Sequence, residues 1–340
     1  MGIEDIAKLA SNENPLGPSQ SVLDAIEKES KDIWLYPDGN GFSLKEKLAA
    51  KHGVNLNQIT LGNGSSDLLE FTVRVFAAPG DEVLFSQHSF AIYPIVAQAV
   101  GAKGVAAPAT NWGYDLNALQ DHISDKTKVI FIANPNNPTG TWVRNDELEA
   151  FMRAVPDNVI VVLDEAYYDY ADYLVGDQGY PDTISWTERY PNLVVTRTFS
   201  KSYGLAGLRV GYGISHPDVA DLLNRIRPPF NVNSIALAAA EAAVGDEDYL
   251  LRSVELNAKG LNQLTEGFDR MNLGYIPSIG NFISVDVDRE GASLYNALLH
   301  EGVIVRPVAN YEMPNHLRVS VGLPEQNERF LKALEKVLKC

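Results

Sequence analysis

The sequence contains very little cysteine and no long apolar runs. Among its 340 residues the only cysteine is Cys340, which excludes an internal disulfide and fits a reducing compartment. No segment has the roughly 18 consecutive apolar residues that a membrane-spanning helix requires. The first residues, MGIEDI, lack both the basic and the apolar region of a signal peptide. We therefore expect a cytoplasmic protein.

Basic residues are also scarce. The chain has 28 Lys and Arg against 44 Asp and Glu, a formal net charge of -16. A field of this sign repels nucleic acid and anionic membrane surfaces. The six histidines are scattered without the spacing of metal ligands. We therefore expect small-molecule partners, with no nucleic acid, membrane or metal.

The pattern of elements predicts an α/β protein. From about residue 39 to residue 245, apolar runs alternate with helix-like stretches, which is typical of a mostly parallel sheet with helices on both faces. The predicted strands are 82–86, 129–133, 159–163 and 193–198, and the predicted helices include 145–154 and 217–225.

The pattern changes to an α+β arrangement after residue 245. The predicted elements there are a long helix at about 248–271, a strand at 282–287, a helix at 293–301, two strands that each carry an arginine, and a last helix at 324–338. We expect a large domain over 39–245 and a smaller one over 246–340. Residues 1–38 should pack with the small domain and a partner subunit.

Three polar clusters directly follow apolar runs that predict buried parallel strands. They are NPNNPTG at 134–140, DEAY at 164–167 and SKSYGLAGLR at 200–209. Ligands of open α/β sheets bind in the crevice at the carboxyl ends of the strands, so the three clusters should form one site. Lys201 in the third cluster is the candidate anchor for an aldehyde cofactor. Pyridoxal phosphate needs a lysine for its Schiff base, a carboxylate at its pyridine nitrogen, and donors for its phenolate and phosphate.

This order of residues resembles the fold-type I, class I/II aminotransferases, and it is most similar to their histidinol-phosphate aminotransferase branch. The resemblance extends from SNENPLG at 11–17 to LRVSVG at 317–322. It implies that Lys201 forms the Schiff base and later moves a proton between the substrate α-carbon and the cofactor. It also implies that Asp164 partners the pyridine nitrogen. A carboxylate without a partner at the end of a buried strand would be costly. The alternative for Asp164 is a cap for the next helix.

Other residues of the cofactor site follow from the same resemblance. Tyr167 and Asn137 correspond to donors to the ring hydroxyl. A glycine turn at 62–64 opens an apolar helix, so that the amides of Ser65 and Ser66 point at an anion.

The resemblance also implies that Ser200 and Arg209 complete the phosphate site. Without the family, 62–64 is an ordinary turn and Arg209 a surface charge. Phe90 matches a ring that stacks on the pyridine, although alone it would be an ordinary core residue. Tyr36 matches a tyrosine that reaches the cofactor phosphate of the neighbouring subunit, which implies a homodimer with shared active sites.

Arginines near the C-terminus suggest how a substrate binds. Guanidinium groups suit carboxylates and phosphates. By resemblance Arg318 binds the substrate carboxylate and Arg306 the substrate phosphate, so two arginines near one anion favour a doubly charged group. Asn12 and Asn14 either line the substrate pocket or cap a loop. About ten residues precede this motif, fewer than the family commonly has, which bears on substrate affinity and on the stability of the oligomer.

The expected activity is transfer of the amino group of L-histidinol phosphate to 2-oxoglutarate, giving imidazole acetol phosphate and L-glutamate, in histidine biosynthesis. Within the same branch, an aromatic amino acid aminotransferase and a phosphothreonine decarboxylase remain alternatives. A dinucleotide dehydrogenase would need a third glycine after 62–64, and a nucleotide hydrolase would need a phosphate-binding GxxxxGK[ST] motif that the chain lacks. A cofactor-binding regulator usually carries a basic DNA-binding module, and none is visible.

Overall fold

The computed structural model describes residues 6–339. Residues 1–5 and Cys340, which enter the predictions about a signal peptide and a disulfide, lie outside the described residues. The strands are β1 (Ala7–Lys8), β2 (Ile59–Gly62), β3 (Glu82–Ser86), β4 (Lys103–Ala107), β5 (Ala109–Thr110), β6 (Gly113–Tyr114), β7 (Thr127–Ala133), β8 (Ile160–Asp164), β9 (Leu193–Thr198), β10 (Gly211–Ser215), β11 (Tyr275–Ile276), β12 (Phe282–Asp286), β13 (Val303–Ile304), β14 (Arg306–Pro307) and β15 (His316–Ser320).

The helices lie between these strands, mostly one after each strand. They are α1 (Gln20–Glu29), α2 (Phe42–His52), α3 (Ser65–Phe76), α4 (Ile92–Ala99), α5 (Leu116–Asp121), α6 (Asn145–Ala154), α7 (Tyr168–Val175), α8 (Pro217–Ile226), α9 (Ser234–Val244), α10 (Glu247–Arg270), α11 (Gly291–His300) and α12 (Pro324–Leu338). None of the helices in residues 6–339 combines the length and apolar character needed to cross a bilayer.

The main sheet has seven strands in the order β2-β10-β9-β8-β7-β3-β4. Only β10 runs antiparallel to its neighbours, and the other pairs are parallel. Its central strands are apolar on both faces because helices cover both. In β7, Ile130 and Ile132 join the core on one face, while Val129 and Phe131 join the core on the other. This confirms the predicted α/β class and the mostly parallel sheet.

A second sheet is antiparallel, in the order β11-β12-β15-β14. Leu264 of α10, Leu298 of α11 and Phe330 of α12 pack with Val285 and Val319 of this sheet into a separate core. The strand predicted around Arg306 is divided in two. β13 pairs with β1 and β14 pairs with β15. Proline lacks an N–H donor, so β14 ends at Pro307 on the edge of the sheet.

The first forty residues are divided between the two sheets. β1 lies parallel to β13, next to the second sheet. Helix α1 instead packs against α9, and its Val22 belongs to the core of the main sheet. The expectation that residues 1–38 pack with the small domain was therefore wrong for α1, because the apolar face of this helix is buried on the large sheet. The domain boundaries at residues 39 and 246 stay predictions.

Candidate active site

A cleft of about 360 Å³ lies at the carboxyl ends of the central strands of the main sheet, facing β14 and β15. It contains eleven of the thirteen predicted site residues, and Asn14 and Tyr36 are outside it. The eleven are Ser65, Ser66, Phe90, Asn137, Asp164, Tyr167, Ser200, Lys201, Arg209, Arg306 and Arg318. Neighbouring parallel strands end at the same edge of a sheet, and for this reason segments far apart in the sequence meet here.

Lys201 lies three residues after the end of β9. Its Nζ donates to the Ser11 carbonyl at 3.4 Å and lies 5.6 Å from the centre of the Tyr167 ring. Burial lowers the pKa of Lys201 to about 8, and the positive charges of Arg318 and Arg209 act in the same direction. A neutral, nucleophilic amine is therefore accessible close to neutral pH.

Asp164, the last residue of β8, is buried at the base of the cleft. Its carboxylate accepts hydrogen bonds from the Tyr93 hydroxyl at 3.0 Å and the Thr196 hydroxyl at 3.4 Å. Burial raises the pKa of Asp164 to about 6. Within residues 6–339 no basic side chain forms an ion pair with it, and α7 begins only at Tyr168 without a side-chain cap. A buried acid of this kind fits a ligand that brings a positive charge.

An anion-binding cup forms where α3 begins. Gly64 precedes the helix with a φ of 75°, and a Cβ there would collide with the Arg209 guanidinium. Glycine therefore allows the guanidinium to approach the positive end of the helix dipole. Arg209 Nη1 also donates to the Ser200 hydroxyl at 3.2 Å. Free backbone N–H groups, a hydroxyl and a guanidinium at one point suit a phosphate group.

The Tyr167 hydroxyl is held by two amides. Asn12 Nδ2 donates to it at 2.9 Å and Asn137 Nδ2 donates to it at 3.0 Å. Burial raises the pKa of Tyr167 to about 12, so the phenol keeps its proton. Because both of these hydrogen bonds are accepted by the hydroxyl, its own proton is available to a ligand in the cleft.

The two predicted substrate arginines face each other. Arg306 and Arg318 are paired residues of β14 and β15. Arg318 Nη1 donates to Asn137 Oδ1 at 2.6 Å and Nη2 to the Ala10 carbonyl at 2.8 Å. Among residues 6–339 its buried Nε has no hydrogen-bond partner. Burial lowers the pKa of Arg318. Like charges directly opposite each other are unfavourable in a sheet, so this arrangement favours an anionic ligand between them.

Asn14 does not line the cleft, and its role as a substrate-binding residue stays a prediction. The buried side-chain amide donates to the Ser202 carbonyl and the Ser253 hydroxyl, both at 2.8 Å. Its Oδ1 accepts from the Leu16 amide at 3.1 Å. Through these hydrogen bonds the Asn14 side chain joins the segment 11–17 to α10 and to the residue after Lys201. Asn14 therefore has the loop-capping character of the alternative interpretation.

Tyr36 also lies away from the cleft. Its side chain is 82% exposed and stacks on Phe230, with ring centroids 4.7 Å apart. Its predicted contact is with a second subunit, so the position within one chain does not test it.

Sequence reasoning missed four residues around the site. Thr196 and Thr198 could have been found from strand alternation, because each is an even number of residues from Ser200. Tyr93, which donates to Asp164, and Tyr311, which lines the cleft, have no such signal. They come from α4 and from the turn before β15, and only the packing brings them to the site.

The cleft combines a nucleophilic amine, a buried acid without a cationic partner among residues 6–339, and an anion-binding cup, all at the carboxyl edge of a mostly parallel sheet. Together these features indicate a class of enzyme. They are what an α/β enzyme needs in order to use pyridoxal phosphate. Comparison with known proteins agrees. The family described as "Aminotransferase class I and II" matches residues 4–334.

Individual proteins extend the match over nearly the whole chain. A Pseudomonas fluorescens protein named histidinol-phosphate aminotransferase 2 is 59% identical over 98% of this chain and 89% of the relative. A Nitrosococcus oceani histidinol-phosphate aminotransferase 1 is 56% identical over 99% and 90%. The crystal structure of histidinol-phosphate aminotransferase from Sinorhizobium meliloti with pyridoxal-5'-phosphate superposes with a TM-score of 0.91, at 31% identity over 98% of this chain and 91% of the other. The chain belongs to the class I and II aminotransferases and is a pyridoxal-phosphate-dependent enzyme.

Proposed function

We propose that this aminotransferase acts on L-histidinol phosphate, passing its amino group to 2-oxoglutarate to give imidazole acetol phosphate and L-glutamate in histidine biosynthesis. Relatives named for this activity are 50–59% identical over nearly the full chain, which supports the assignment. The observation that supports this choice of substrate is the pair Arg306 and Arg318. These arginines face each other with no acidic partner in the described part of the chain.

The residues of the cleft suit the cofactor. When bound, pyridoxal phosphate supplies an aldehyde for the lysine amine and a ring that withdraws electrons from the reacting carbon. We assign Lys201 as the residue that holds the aldehyde. Asp164 would hold the ring nitrogen, where the positive charge on the ring would offset the burial of the carboxylate. Tyr167 and Asn137 serve the ring hydroxyl, Tyr167 through the proton that its own hydrogen bonds leave free.

The phosphate end of the cofactor belongs in the cup at the start of α3. Ser65 and Ser66 offer backbone N–H groups, Ser200 a hydroxyl and Arg209 a permanent charge. Phe90 lines the same cleft, half-buried and in edge contact with Tyr93 at 6.0 Å between ring centroids. Its ring is the one that we assign to stacking on the pyridine.

Lys201 has a second role after the substrate amine takes its place on the cofactor. Its Nζ would then take the proton from the substrate α-carbon and pass it to the cofactor side, and addition of water would release the keto product. A pKa of about 8 suits this role, because the amine can both release and accept a proton near neutral pH.

The two arginines distinguish the possible amino donors. A phosphate monoester carries nearly two negative charges, whereas the carboxylate of phenylalanine carries one. Arg318 alone suffices for a single carboxylate, such as the α-carboxylate of glutamate or of 2-oxoglutarate. Arg306, more exposed and one strand further out, adds the second charge that a phosphate requires. This geometry favours histidinol phosphate over an aromatic amino acid as donor.

A titration of the holoenzyme tests the donor. Arg306→Gln should raise the concentration of histidinol phosphate that half-converts the cofactor spectrum by about tenfold or more, since one charge-assisted contact is lost. The value for phenylalanine should change little. Arg270→Gln, at the far end of α10, is the matched control and should leave both values unchanged. Equal effects of Arg306→Gln on the two donors would contradict the assignment, and release of carbon dioxide from phosphothreonine would favour the decarboxylase instead.

We further propose that the enzyme is a homodimer with shared active sites. The segment 33–36 exposes large apolar side chains next to Phe230: Ile33 is 64% exposed, Trp34 78%, Leu35 51% and Tyr36 82%. A contiguous apolar patch of this kind favours burial against another chain. Sedimentation should give a dimer for the wild type and monomer for Trp34→Glu. A monomeric wild type would contradict the proposal. The cytoplasmic location stays a prediction.

A further inference from the structure

A buried ion pair lies on the face of the main sheet away from the cleft. Arg197 Nε donates to Glu165 Oε2 at 2.9 Å, and Arg197 Nη2 lies 2.8 Å from the same oxygen. The side chains of Glu165 and Arg197 are only 1% and 9% exposed. Burial raises the pKa of Glu165, and the adjacent guanidinium opposes that rise. No part of the chemistry described above uses these two residues.

The pair joins the ends of the two strands that carry the proposed cofactor residues. Asp164 at the end of β8 is the register partner of Thr196 in β9, and the Glu165 amide donates to the Thr196 carbonyl at 2.9 Å. Successive side chains alternate between the faces of a sheet, so Asp164 and Thr196 face the cleft while Glu165 and Arg197 face away. The ion pair therefore lies one residue beyond the last paired position of the two strands.

Neighbouring groups restrict the pair to one arrangement. The Thr183 hydroxyl donates to Glu165 Oε1, the oxygen that Arg197 does not contact. The guanidinium carbon of Arg197 lies 3.3 Å from the centre of the Tyr168 ring. A planar guanidinium held by a stacked ring and a fixed carboxylate has little freedom to move.

We propose that Glu165 and Arg197 are positioning residues that set the distance between the Asp164 carboxylate and the Lys201 amine. β9 continues to Thr198 before the chain reaches Ser200 and Lys201, and Arg197 and Thr198 pair with β10 there. Within residues 6–339 no register pair beyond Thr196 holds β9 against β8. The ion pair extends the connection between β8 and β9 by one residue beyond their last register pair. A buried ion pair is a poor source of stability compared with apolar packing, so precise placement is the stronger reason for having one here. The inference rests on the proposed roles of Asp164 and Lys201.

The test replaces the pair by a neutral one of similar volume, Glu165→Gln with Arg197→Met, in the full chain. It measures cofactor dissociation from the holoenzyme, the pH midpoint of the visible absorbance of the bound cofactor, and the denaturation midpoint. We expect the dissociation constant of the cofactor to rise about tenfold. The pH midpoint should move to lower pH, because a displaced Asp164 stabilises the protonated cofactor less. The control is Glu149→Gln with Arg189→Met, the same pair of substitutions at a half-exposed 2.8 Å ion pair away from the cleft, between α6 and the turn before β9. Glu149→Gln also removes the ion pair of Glu149 with Arg153.

Arg197→Lys and Thr183→Val are milder variants that keep the pair charged. Each should shift the cofactor constants in the same direction by a smaller amount. A double variant that folds with unchanged dissociation and pH midpoint would overturn the proposal, and so would one that changes only the denaturation midpoint. If the double variant does not fold, unchanged constants in Arg197→Lys overturn it equally. Wild-type protein that binds the cofactor without involving Lys201 would overturn the site assignment, and the positioning role with it.

Discussion

Substituting Asp164 by asparagine should stabilise the apoprotein and weaken cofactor binding at the same time. In the folded apoprotein, burial raises the pKa of Asp164 from 3.8 to about 6. The shift corresponds to about 3 kcal/mol that folding loses when the carboxylate is ionised. The unfolded chain releases this proton at the lower pH, so the loss develops as the pH rises from 3.8 to about 6 and is complete above that. Asparagine carries no charge, so the variant does not lose this folding free energy.

The net gain in stability of the Asp164→Asn apoprotein is smaller than the free energy that corresponds to the full pKa shift. Both carboxylate oxygens of Asp164 accept hydrogen bonds, from Tyr93 and from Thr196, and an amide nitrogen in place of one oxygen would face a donor. That mismatch costs about 1 kcal/mol, which leaves a gain of about 2 kcal/mol for the apoprotein at pH 7. A positively charged ring nitrogen offsets the burial of the carboxylate only in the wild type. Cofactor binding by the variant should therefore weaken by up to about a hundredfold.

Urea denaturation of the apoproteins and spectral titration with pyridoxal phosphate measure the two effects. The stability difference should shrink as the pH is lowered towards 4, where the wild-type carboxyl is protonated. Asp115→Asn is the control, because the Asp115 carboxylate accepts a hydrogen bond from the Ala118 amide at the start of α5, which lowers its pKa. It should slightly destabilise the protein and leave cofactor affinity unchanged. An Asp164→Asn apoprotein that is less stable than wild type at pH 7, or that binds the cofactor equally well, would refute the reasoning.

Other substitutions test the remaining roles. Lys201→Ala should leave no covalently held cofactor after reduction with borohydride and essentially no transaminase turnover; activity at the wild-type level would contradict its role. Arg209→Ala should release cofactor at least tenfold more readily while the preference among donors is kept, because the guanidinium lies in the proposed phosphate cup, where it donates to the Ser200 hydroxyl. The reverse pattern would place it with the substrate. The rate at which apoprotein captures pyridoxal phosphate should rise through a pH of about 8, since burial lowers the pKa of Lys201 to that value and only the neutral amine attacks an aldehyde. A rate that rises only above pH 10 would indicate an amine exposed to water.

Much of the architecture could be read from local patterns. The apolar runs before Asn134, Asp164 and Ser200 predicted buried parallel strands, and β7, β8 and β9 lie there as neighbours in the sheet. Helix α6 begins and ends at the predicted residues, and α12 does as well. These predictions succeed because side-chain periodicity and strand ends are properties of short segments.

The division of the N-terminal segment could not be read in this way. Nothing within residues 20–29 shows whether their apolar face will meet the large or the small core, and the structure places α1 against α9. The contacts of Asn14 could not be predicted for a similar reason. An asparagine beside a proline can turn into a pocket or into a loop, and in the structure its amide donates to Ser202 and to Ser253 of α10.

The sequence by itself determined the chemistry: which strand ends carry the lysine, the carboxylate and the amide, and where a glycine lets a helix begin at an anion site. Only the tertiary structure determined the state of those groups. Tyr93 reaches Asp164 from a distant helix, Arg318 comes to lie against Asn137, and burial then lowers the pKa of Lys201 and raises that of Asp164. Reactivity depends on desolvation and on neighbouring charges, and both are properties of packing between segments rather than of any one segment.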